Sequence, residues 1–122
     1  MIYPETKITV NDNSGAKKCL CIKVLNGSRR KGAKPCNRVV VSLKKVKYGK
    51  RLEKGTVCRG IIIRGKKNIQ RNSGISLKFN DNAIILINEK DAPIGNRIYG
   101  PVYKEIYDQT FPKIFSIIKN VI

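Results

Sequence analysis

The chain has 122 residues, 41% apolar and 28% charged, which allows one modest core and argues against wholesale disorder. Lysine and arginine total 26 against 8 acids, a net charge of +18, so a compact state repels itself unless a polyanion is near. There is no histidine, hence no imidazole base and no Ser-His or Cys-His nucleophile pair. Neither a phosphate-binding loop nor a dinucleotide fingerprint follows any strand-like run. The chain is therefore not expected to be an enzyme or to hold a cofactor.

In chain order, Ile8 and Val10 alternate with polar neighbours and predict a first strand, and Asp12-Asn13-Ser14-Gly15 supplies a turn. In the second, Leu20, Ile22 and Val24 share one face, with Cys19, Cys21 and Lys23 on the other. Asn26-Gly27 turns the chain into a basic loop, and a third strand puts Val39, Val41 and Leu43 inward. A second basic connection leads to a fourth strand over residues 57–64, where Gly60 suggests a bulge or bend. Residues 75–79 alternate, and the run at 83–87, the longest apolar one, is strand-sized rather than membrane-spanning. Phe111, Ile114, Phe115 and Ile118 follow helical spacing behind Pro112, and a turn of helix is expected at 104–108.

Many short strands with polar turns predict an all-β-dominated fold: a small closed barrel with a short C-terminal helical element, in one domain over 1–122. Charge divides it into a basic barrel, 1–88, and a neutral, partly helical segment, 89–122. Between Asn13 and Asn80, 20 basic residues face the single acid Glu53, whereas from Asp81 onward five bases meet five acids. The candidate RNA-binding residues are Lys17, Lys18, Lys23, Arg29, Arg30, Lys31, Lys34, Lys44, Lys45, Lys47, Lys50, Arg51, Arg64, Lys66, Lys67 and Arg71. Their main clusters, at 29–34, 44–51 and 64–71, flank strands and could share one rim or one side. Only Tyr48 is aromatic within these loops, which favours folded RNA gripped by its backbone over stacked single strands.

The four cysteines lack paired C-x-x-C knuckles, so free thiols are expected and no metal. The pairs Glu89/Asp91 and Glu105/Asp108 read as solvated acids. The N-terminus shows no secretory or transit pattern; the protein is expected to stay where it is translated or to have lost such a segment. The abundance of 18 isoleucines, 18 lysines and 11 asparagines matches A/T-rich codons and points towards a mitochondrial, organelle-encoded origin, with plastid or bacterial cytoplasm as alternatives.

Asp12-Asn13-Ser14-Gly15-Ala16, then Cys21-Ile22-Lys23-Val24-Leu25, then Pro93-Ile94-Gly95-Asn96-Arg97-Ile98-Tyr99-Gly100-Pro101-Val102 closely resemble large-subunit ribosomal protein L-fourteen. Gly60-Ile61-Ile62-Ile63, Ser73-Gly74, Phe79, Asn82 and Ile85-Leu86 resemble that family's signature too. The resemblance implies a five-stranded barrel bound to large-subunit rRNA, beside an L-nineteen-like protein, with bridges to small-subunit rRNA. It further implies docking of a ribosome silencing factor at Asn96, Arg97 and Lys113. Asn96 stands where threonine is usual, Gln70 replaces a base, Ile85 stands where valine is preferred, and Cys36-Asn37 stands where Gly-Asp is usual.

Overall fold

A computed structural model describes residues 2–25, 32–33, 36–47, 52–108 and 112–122. Among these, the strands are β1 (Lys7–Val10), β2 (Ala16–Val24), β3 (Arg38–Val46), β4 (Val57–Arg64), β5 (Ile69–Gln70), β6 (Ser76–Leu77) and β7 (Ala83–Ile87). A 3-10 helix at Lys104–Asp108 and one α-helical turn, α1 (Pro112–Phe115), follow.

β1, β2, β3, β4 and β7 close into a barrel in that order, with the β5–β6 hairpin outside it. Neighbours are antiparallel except β1 and β7, which pair in parallel through Thr9↔Ala83 and Val10↔Ile84. An odd-numbered ring of alternating strands must contain one such pair. Closure removes every free edge from the ring.

Ile8, Val10, Val39, Val41, Leu43, Ile62, Ile84 and Leu86 fill the lumen, as the two-residue period of a strand requires. β2 departs from that period, and from the face predicted for it. Ala16, Cys19 and Cys21 turn inward and Val24 packs beside them, while Ile22 is 45% exposed. Spacings of three, two and three residues break parity twice, and the β2–β3 register slips at those places, between Ala16 and Cys19 and between Cys21 and Lys23.

Gly60 sits in regular pairing with Val39 and Leu86 rather than at a bulge; the slip in β4 lies between Ile62 and Arg64. The glycine answers a packing need instead. A Cβ there would stand 2.9 Å from Cδ1 of Ile84 and 3.1 Å from the Ile85 carbonyl oxygen.

The outward residues Ile61 and Ile63 of β4 and Ala83, Ile85 and Ile87 of β7 form a second core under Ile98, Val102, Tyr103, Ile106 and Ile114. β7, and β4 from Gly60 onward, are buried on both faces, which is why Ile61–Ile63 and Ala83–Ile87 read as unbroken apolar runs. The alternating stretch at 75–79 yields only two strand residues: Ile75 is exposed, while Leu77 and Phe79 rest against the second core. The C-terminal helix shortens to α1, with Ile114 buried; Phe111 lies outside the described residues.

Candidate nucleic-acid interface

Strand pairing decides which cationic side chains become neighbours. Lys18 stands opposite Lys45, Ala16 opposite Val46, and the Lys47 amide donates to the Gly15 carbonyl at 2.6 Å. Lys17, Lys18, Lys44, Lys45 and Lys47 are all exposed, on two adjacent strands and the turn beside them. Like charges directly across a strand pair are unfavourable on their own. Lys23 is exposed further along β2, opposite Val40. Lys66 and Lys67 are exposed after β4, the Lys66 amide donating to Asn82 Oδ1 at 3.0 Å.

Alternating strand direction puts the β1–β2 and β3–β4 connections at one end of the barrel and the β2–β3 and β4–β5 connections at the other. The described parts of two basic clusters, 44–47 at the end of β3 and 66–67 after β4, therefore lie at opposite ends. Arg29, Arg30, Lys31, Lys34, Lys50 and Arg51 lie outside the described residues.

Two of the predicted arginines are occupied within the fold. Arg64 is 6% exposed; its Nε and Nη2 donate to Asp81 at 3.2 and 3.1 Å, and its Nη1 to the carbonyls of Tyr99 and Pro101 at 3.0 and 3.3 Å. The fork thus ties β4 to the C-terminal cover. Arg71 is half-buried; Nε and Nη2 grip Glu105 at 2.8 and 3.2 Å, and Nη2 also donates to the Ile122 carbonyl at 2.5 Å. That grip holds the Glu105 carboxyl below its usual range. With Arg38–Asp91 at 2.6 Å, the ion pairs among the described residues are all made by arginines, and the lysines stay in water.

The two segments that carry the family resemblance meet. Asn13 Oδ1 accepts from the amides of Asn96 and Arg97 at 2.7 and 3.1 Å, and its Nδ2 donates to Asn96 Oδ1. Asp12 accepts from the Leu86 and Ser14 amides at 3.0 and 3.1 Å, and Asp12 bridges to Ile98. Gly95 admits this closeness, since a Cβ would stand 2.5 Å from Asn13 Oδ1. Asn96, Arg97 and Lys113 are exposed. Sequence reasoning placed Tyr99 in the neutral segment and overlooked it. The structure brings it beside Lys17 and Lys47, because its amide donates to the Asn11 carbonyl at 2.9 Å.

Cys19, Cys21, Cys36 and Cys58 form no disulfide, and burial with nearby Cys21 and Cys58 pushes Cys19 up to about 12. The described residues hold no group of three or more His, Cys, Asp or Glu placed to bind a metal ion.

A closed five-stranded barrel with a cationic outer surface and a C-terminal cover defines a small basic β-barrel protein. The family model for Ribosomal protein L14p/L23e matches residues 1–122. The chain belongs to that family, a structural, non-enzymatic one, and is thus a structural constituent of the large ribosomal subunit. The family implies contact with rRNA and with other large-subunit proteins.

Proposed function

We propose that Lys17, Lys18, Lys44, Lys45 and Lys47 form one patch that holds the phosphate backbone of large-subunit rRNA, with Lys23, Lys66 and Lys67 extending the contact along the barrel. The observation that carries this reading is the Lys18–Lys45 pairing inside a patch of exposed, unpaired lysines. A fold that commits Arg38, Arg64 and Arg71 to internal ion pairs and leaves adjacent lysines in water gains from a polyanion, through counterion release. Arg64 and Arg71 hold the C-terminal cover and fall outside this interface. The basic residues at 29–34, 50 and 51 join it on charge alone.

The finer assignments rest on the family. In this reading the protein also contributes to bridges with small-subunit rRNA and adjoins an L-nineteen-like protein. The loop held by Asn13 presents Asn96 and Arg97 to a silencing factor, together with Lys113. A mitochondrial ribosome is the favoured setting, on codon bias alone.

The test is to replace the five patch lysines with glutamine and sediment the tagged protein on a gradient. The expected result is loss from the large-subunit fraction with the melting temperature nearly unchanged. Full incorporation of the variant would refute the patch.

A further inference from the structure

We propose that the cleft between Asn13, Gly15, Lys17, Lys47 and Tyr99 takes a single nucleotide of the bound RNA, its phosphate between the two ammonium groups and its base on the Tyr99 ring. This rests on the RNA-binding reading above and gives it a defined pocket.

The cleft is about 270 Å³, close to the ~300 Å³ at which small-ligand clefts begin. The pairing of Ala16 with Val46, and of the Lys47 amide with the Gly15 carbonyl, brings Lys17 on β2 and Lys47 just after β3 into its lining. Asp12 is the one acid in the lining, but it is 6% exposed and accepts from Ser14 and Leu86, so its oxygens face the fold. A phosphate entering the cleft meets ammonium groups and no free carboxylate.

Tyr99 supplies the second half of the site. Its backbone is pinned at both ends, the amide to Asn11 and the carbonyl to Arg64 Nη1. The residue is nevertheless 53% exposed, between Ile98 and Val102, which are buried. Tyr103 meets the Phe79 ring at 4.9 Å and Tyr107 the Phe115 ring at 5.1 Å, whereas among the described residues the Tyr99 ring has no ring partner. An exposed aromatic ring on a pinned backbone, beside Lys17 and Lys47, suits one unstacked base, because every base has a π-face and the lysines fix its phosphate.

Large-subunit rRNA transcribed with 4-thiouridine serves as the probe, bound to the full chain and irradiated, with cross-linked peptides mapped by mass spectrometry. The site predicts a cross-link at Tyr99 and an affinity about 10-fold weaker for Tyr99→Ala. Tyr99→Phe should bind like the parent, since stacking needs the ring and not the hydroxyl. Lys47→Gln should lower the slope of log affinity against log salt by about 1, while Tyr99→Ala should leave that slope unchanged. If Tyr99→Ala lowers the melting temperature, the cross-link on the parent protein decides. A parent that binds rRNA with a steep salt slope, without that cross-link and indifferent to Tyr99→Ala, overturns the cleft and leaves the RNA-binding reading standing. A parent that does not bind rRNA overturns both.

Discussion

At the scale of single residues, three arginines stand apart from the exposed lysines. Arginine carries a planar fork that satisfies carboxylates and carbonyls together, and Arg38, Arg64 and Arg71 are used that way here. The sequence marks all basic residues alike, so Arg64 and Arg71 could not be told from the exposed lysines before their partners were known. Arg64→Ala is expected to lower stability by about 2–3 kcal/mol in denaturant melts, because it unties two carbonyls and Asp81 together. Gly100 faces the same guanidinium, with φ +86°, and a Cβ there would collide with it. Gly60→Ala should cost about 1–3 kcal/mol by overpacking against Ile84, measured the same way. The buried thiols give a chemical check. In native protein, Cys19, Cys21 and Cys36 should resist alkylation at neutral pH and Cys58 should react first; all four should react once the chain is denatured without reductant.

At the scale of elements, patterning revealed the barrel but not its irregularities. Strands with one wet face, β1 and β3, show clean alternation, and their inward residues were readable from sequence. β2 was misread because register slips at Ala16/Lys18, Lys18/Cys19 and Cys21/Lys23 shift its inward set, and the hydrophobic content of Leu20 and Ile22 points the wrong way. A bulge depends on what stands across the sheet, so spacing along one strand does not report it. The C-terminal cover is fastened by Arg71 to Glu105 and to the Ile122 carbonyl, beside the pairing of Val102 with Asn120 and Ile122. Because the Glu105 carboxyl is held below its unfolded value, the pair stabilises the fold above the ordinary glutamate range and is lost as pH falls through the lower folded value. Protection of the Ile106 and Ile122 amides, relative to their intrinsic exchange rates, should therefore fall in acid, at pH values where the barrel amides remain protected. Glu105→Gln should show the reduced protection already at pH 7. Protection factors at these amides that do not change with pH would show that the ion pair does not hold the cover.

At the scale of the whole molecule, the excess of base over acid between Asn13 and Asn80 was legible from composition, and it pointed to a polyanion before any fold was known. The closed barrel and its C-terminal cover were legible too, from strand spacing and from the family resemblance. The joining of distant parts was not. Asn13 and Asn96 are 83 residues apart, and Tyr99 reaches the lysines only because the cover crosses back over the turn after β1. No local pattern encodes such a meeting, although the two most distinctive motifs of the chain turn out to be its two sides.

In the proposed reading, exposed lysines on β2, on β3 and just beyond it bind rRNA by neutralising phosphates. Equilibrium binding of the intact protein to large-subunit rRNA, from 50 to 200 mM salt, tests it most directly. With about 6–10 phosphate contacts, affinity should fall by about three to five powers of ten. An affinity that changes less than about ten-fold over that range would contradict the account.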